Sequence, residues 1–106
     1  MSLHRVLGIA AGMVLGAHFL TAQDAAKGKE VFEQCGVCHA ADSDEKKMGP
    51  GLKGLFKKKT LADGKTAVTE KSVMEKIDKG GNGMPAYEEM LEKKEKADLL
   101  AYLKTL

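Results

Sequence analysis

A chain of 106 residues with 17 Lys plus Arg against 15 Asp plus Glu has room for one small domain and carries no nucleic-acid signature. Aromatics make up 5 % of it and Trp is absent, so large core side chains are scarce and a buried group from outside the chain would help to fill the interior.

The first 22 residues differ from the rest. His4 and Arg5 form a short basic start, an uncharged run from Val6 follows, and charge returns at Asp24. A basic start, an apolar run and a small residue at the exit read as a secretory signal peptide over residues 1–22, cut after Ala22, with the domain occupying 23–106. The competing reading is an uncleaved anchor. The uncharged stretch is barely long enough to span a bilayer, and its glycines and His18 weaken it. The expected mature protein is secreted, periplasmic in a Gram-negative host, without an integral span once the signal is removed. Its acids and bases then nearly balance.

Asp24 to Glu33 reads as a helix with Asp24 as its cap. Both cysteines follow, in Cys35-Gly36-Val37-Cys38-His39. A disulfide here would close a very small loop. A thioredoxin-like redox pair belongs after a strand in a βαβ pattern, which this chain lacks. Zinc wants about four ligands, and two Cys with one His exhaust the obvious donors once His4 and His18 leave. The remaining reading is covalent heme attachment, for which C-x-x-C-H is the spacing. Two intervening residues let one helical turn present both sulfurs to the two vinyl groups on one porphyrin edge. His39 comes next and can bind iron. One covalently bound heme c is the expected cofactor, and it suits the exported side.

Beyond the motif, Asp42 to Met48 reads as loop, and Gly49-Pro50-Gly51 as a turn. Between Lys46 and Lys65 there are seven lysines and one acid, Asp63. Asp63-Gly64 predicts a turn within a short hairpin over Leu61 to Thr69. Glu70 to Lys79 places Val73, Met74 and Ile77 at helical spacing and stops at Gly80-Gly81. Glu88 to Glu95 leans acidic. From about Glu92 to Leu106, Leu99, Leu100, Leu103 and Leu106 line one helical face with Tyr102 beside them. The fold class is all-α with long loops. The core candidates are Leu52, Leu55, Phe56, Leu61, Val73, Ile77 and Leu91.

From Asp24 to Leu106 the chain resembles a class I cytochrome c. The matching residues are Gly28 and Phe32, the 35–39 motif, Gly49-Pro50-Gly51-Leu52-Lys53-Gly54-Leu55-Phe56, Gly83-Met84-Pro85-Ala86-Tyr87, and Ala97-Asp98-Leu99-Leu100-Ala101-Tyr102-Leu103. The resemblance implies the cytochrome c fold, three to five helices around one covalently attached heme. It implies His39 and Met84 as the two iron ligands. Met84 alone among Met48, Met74, Met84 and Met90 sits in a Gly-rich loop, and the other three read as packing. The resemblance also implies that the Pro50 carbonyl accepts the free imidazole N–H of His39, and that Gly28 and Phe32 cross the last helix near Leu99 and Tyr102. Two departures stand out. Lys96 replaces a residue that is commonly apolar, and the family's tryptophan is missing, which leaves Lys57 to Lys59 as candidates for the heme propionates.

A thioether opposite an imidazole raises the reduction potential and leaves iron no open site. The expected function is electron transfer, a monoheme carrier cycling between Fe(III) and Fe(II) in respiration, and not an enzyme. Its expected partners are an oxidase, a reductase complex or a peroxidase, met as a monomer and steered by the lysine-rich stretch. The alternative is a heme enzyme subunit or gas sensor, which needs Met84 to be displaceable.

Overall fold

The computed structural model describes residues 23–106, so the expected signal peptide and its cleavage point lie outside the described residues. Among these residues there are three α-helices: α1 over Ala25–Phe32, α2 over Glu70–Lys79 and α3 over Lys93–Leu103, with a short 3-10 turn at Leu55–Lys57. No helix among the described residues is long and apolar enough to cross a membrane.

Each helix begins where side-chain chemistry can satisfy its free N–H groups. Asp24 Oδ1 accepts from the N–H of Ala26 at 2.9 Å and of Lys27 at 3.1 Å. Thr69 and Ser72 form a reciprocal capping box on α2, and Glu92 and Glu95 do so on α3. The helix α3 is shorter than its sequence pattern suggests: it ends at Leu103, because Thr105 bonds back to Tyr102 in a closing turn. Leu106 still packs on the core from beyond the helix end. The expected hairpin is reduced to one antiparallel bridge, Thr60 with Ala67, closed by Leu61 N–H to Thr66 O at 2.8 Å.

The core consists of Phe32, Leu55, Val73, Ile77, Tyr87, Leu91, Leu99, Leu100 and Leu103. Helices α1 and α3 cross against each other, with the Phe32 and Tyr102 rings 5.4 Å apart. At the crossing Gly28 lets the backbones meet: a Cβ there would overlap the Asp98 carbonyl oxygen. Of the seven core candidates, Leu55, Val73, Ile77 and Leu91 are buried, while Leu52, Phe56 and Leu61 are half-buried against them.

Two methionine expectations are corrected. Met48 is 81 % exposed and Met90 is 62 % exposed, so neither belongs to the core, although Met48 Sδ lies 3.9 Å from Cys38 Sγ. Met48 belongs to the polar loop before Gly49. Met90 follows Tyr87 and precedes Leu91, and these two take the inward places of that turn. Met74 does pack against the core. Lys96 is half-buried, and its ammonium reaches Asp78 Oδ1 at 2.9 Å, which ties α3 to α2. A cation stands on a mostly apolar helix face because a carboxylate on the neighbouring helix receives it.

Candidate heme-binding site

The Cys35–His39 motif continues the chain out of α1 as tight turns. The N–H groups of Cys35 and Gly36 both reach Phe32 O, at 2.7 and 2.9 Å, and those of Cys38 and His39 reach Cys35 O at 3.1 and 2.9 Å. This coiling follows from the end of α1, and it brings two sulfurs and one imidazole onto a short stretch of backbone. Both cysteines are half-buried and are not bonded to each other. Burial, and secondarily Cys38, pushes the Cys35 thiol above its ordinary value. Tyr87 shares these surroundings: burial raises its phenol, with smaller contributions from Cys35 and Cys38.

His39 is oriented by the segment that follows the loop. Its Nδ1 lies 2.8 Å from the Pro50 carbonyl oxygen. That oxygen only accepts, so Nδ1 carries the proton and Nε2 keeps its lone pair free for a metal. Two backbone bonds fix this relationship, Gly49 N–H to Cys38 O at 2.8 Å and Leu52 N–H to Ala40 O at 2.7 Å. Lys47 adds a third link, its Nζ 3.0 Å from Gly36 O. Gly49 itself lies against the imidazole: a Cβ there would stand 2.5 Å from His39 Cε1 and 2.8 Å from Nδ1. Sequence reading treats Gly49 only as a turn residue. Its place beside Pro50, the expected partner of His39, was the available signal.

Met84 sits on a separate support. Gly81 N–H donates to Met84 O at 2.9 Å and Met84 N–H to Gly81 O at 3.1 Å, a two-residue turn with Asn82 at φ 53° and Gly83 at φ 91°. Positive φ at both central positions is the mirror-image turn that favours Asn-Gly. The turn is fastened to α2 on both sides, by Gly80 N–H to Lys76 O at 2.8 Å before it and Tyr87 N–H to Ile77 O at 2.9 Å after it. Met84 is half-buried and packs on the same core as Cys35.

The remaining candidates fall as follows. Lys58 is engaged with Asp44 Oδ1 at 3.1 Å, while Lys57 and Lys59 are exposed. The residues fit a heme. Two thiols, a proton-fixed imidazole and a thioether are its attachment and ligation chemistry. Around the core, Cys35, Leu52, Phe56, Leu61, Val68, Met74 and Met84 are apolar side chains only partly covered by protein, which suits a large apolar ring more than water.

Comparison with known proteins identifies the family. The family model described as Cytochrome c matches residues 25–106. The chain is 58 % identical over 36 residues to cytochrome c2 of Blastochloris viridis, covering 33 % of this chain and 28 % of that protein. It is 51 % identical over 37 residues to a cytochrome c2 of Rhodopseudomonas palustris, covering 35 % of this chain and 31 % of that protein. These alignments therefore span less than a third of either relative's length. The solved structure of cytochrome c6 from the diatom Phaeodactylum tricornutum superposes with a TM-score of 0.60 at 28 % identity, over 77 % of this chain and 92 % of that one. Fold, motif and family match agree over the same residues: the chain belongs to the cytochrome c family, and its cofactor is one covalently bound heme c.

Proposed function

We propose that the protein is a monoheme electron carrier of a respiratory chain, exported by residues 1–22 and working as the 23–106 domain outside the cytoplasm. Heme c, when bound, supplies a one-electron Fe(III)/Fe(II) couple. Cys35 and Cys38 hold it as thioethers. His39 offers Nε2 to the iron, and the Pro50 carbonyl keeps that ring's orientation and basicity constant. Met84 is the second ligand, a soft neutral sulfur that favours the ferrous state. With both ligands on braced backbone, little rearranges as the charge changes, which suits fast electron exchange.

One observation carries this reading: the Met84 turn is bonded across its own neck and fastened to α2 at both ends. A ligand on such a support resists displacement, and this argues against a sensor or an oxygen-activating enzyme. The partners we propose are an oxidase, a reductase complex or a peroxidase with an acidic docking face, met by a monomer through the lysine-rich stretch from Lys46 to Lys65.

The test is spectroscopic. Oxidised wild-type holoprotein is expected to show the weak far-red band of thioether–iron bonding, and Met84→Ala is expected to lose it, lower the potential and bind CO rapidly when reduced. Rapid CO binding by reduced wild type would overturn the carrier reading in favour of a sensor.

A further inference from the structure

The turn that carries Met84 contains the chain's sole asparagine, Asn82, followed by Gly83. Both residues are exposed. An asparagine followed by glycine is open to attack on its side-chain amide, because no Cβ on the next residue hinders the approach of that residue's nitrogen. Folding usually suppresses the reaction by tying up one of the two groups. Here neither is tied. Among the described residues no hydrogen bond engages the Asn82 amide or the Gly83 N–H. The two bonds that close the turn belong to Gly81 and Met84, so the Asn82–Gly83 peptide can rotate without breaking either. Space is open as well: a Cβ on Gly83 would meet nothing within 4 Å.

The molecule contains its own contrast. Asp63-Gly64 is the other site of this chemistry, also exposed and in a turn. There the side chain is locked: Asp63 Oδ1 accepts from Lys65 N–H at 2.8 Å and Thr66 N–H at 2.9 Å, and Oδ2 accepts from Thr66 Oγ1 at 2.5 Å. These bonds fix its rotamer and keep it an unreactive carboxylate.

We propose that Asn82–Gly83 is a spontaneous modification site that converts to aspartyl and isoaspartyl forms and thereby loosens the support of Met84. The Gly83 nitrogen gives its proton to solvent base and bonds to Asn82 Cγ. The Cγ–N bond breaks and ammonia leaves, so that a five-membered succinimide remains. Water then opens either carbonyl. Opening one way gives aspartate and places a carboxylate two residues before Met84. Opening the other way gives isoaspartate and adds a methylene to the main chain of a two-residue turn. No electron is transferred, and the only other reactant is water. The added negative charge favours the more positive ferric state, and the lengthened turn no longer matches its neck.

The modification stands without any assignment of iron ligands, whereas its spectral effect rests on Met84 being one. Holoprotein would be aged at mildly alkaline pH beside a chaotrope-unfolded sample, with ammonia release, ion-exchange separation and mass mapping of tryptic peptide 80–93. The expected result is conversion at Asn82 in the native protein within about tenfold of the unfolded rate, the modest barrier of turning one exposed peptide. Asp63 stays unchanged, and the far-red band is weaker in the separated acidic fraction. Native protein that keeps Asn82 intact after the unfolded sample has converted overturns the site. Conversion that leaves the band at full strength overturns its coupling to Met84. Unaged wild type without the band refutes Met84 ligation instead, while the peptide map still decides the modification.

Discussion

Gly28 lies directly beneath the Asp98 carbonyl where α1 crosses α3, and a Cβ at Gly28 would also stand 2.8 Å from Tyr102 Cβ. Both obstacles are fixed, one being backbone and the other the root of a ring that packs on Phe32. Gly28→Ala is therefore expected to push the helices apart despite alanine's better helix propensity, at a cost of about 1–3 kcal/mol. Chemical denaturation of the holoprotein would check this. An unchanged midpoint would show that the crossing yields without strain.

Asp98 is a buried carboxylate, 3 % exposed, that accepts from the Asp24 N–H at 2.9 Å and from Lys94 Nζ at 2.5 Å. The Lys94 bond, with help from the Asp24 N–H, holds its carboxyl below the ordinary aspartate range. A depressed native value means that the stabilisation is complete above the unfolded aspartate value. It is lost as pH falls through the native one. Asp98→Asn is expected to lower stability at neutral pH by about 1–3 kcal/mol, as loss of a charged hydrogen bond does. The gap to wild type should narrow in acid, as read by urea unfolding across pH.

Gly49→Ala tests the orientation of His39. The added methyl would meet the imidazole along its Cε1–Nδ1 edge. The ring must then tilt or the Gly49–Pro50 backbone must retreat, at about 1–3 kcal/mol of strain. The expected outcome is a lower yield of heme-loaded protein and a shifted potential in the fraction that forms. A variant with wild-type spectrum and potential would mean that the segment moves freely.

The lysine-rich stretch gives a kinetic prediction. Association with an acidic redox partner is expected to slow as ionic strength rises. Lys46→Glu with Lys53→Glu should lower the association rate about tenfold at low salt with little change in dissociation. A flat salt dependence measured by stopped flow would remove these lysines from recognition.

Much of this was legible in the chain itself, and the parts that were not share a cause. Periodicity and local signals locate the three described helices, because Asp24, the Val73–Ile77 spacing with its Gly80-Gly81 stop, and the leucines of α3 act locally. The His39–Pro50 relation was available only through family resemblance. The role of Gly49 was hidden because it depends on a ring ten residues away. Asp98 looks like an ordinary polar helix position until Asp24 is seen to meet it from 74 residues away. Met48 and Met90 mislead for the opposite reason, since an apolar side chain in a short loop has no period to say which way it faces. Lys96 looked like a flaw in an apolar face, and its explanation, Asp78, lies on another helix.

The Asp24–Asp98 bond has a topological consequence. Everything from the first cysteine to the methionine turn lies on a single excursion of chain whose two ends are clasped together at the α1–α3 crossing. Fastening those ends shortens the range of shapes the intervening segment can take before any prosthetic group arrives. Releasing the clasp would free both halves of the site in the same event, so the axial bond proposed for Met84 should weaken together with a contact remote in sequence, while the thioethers keep the group attached.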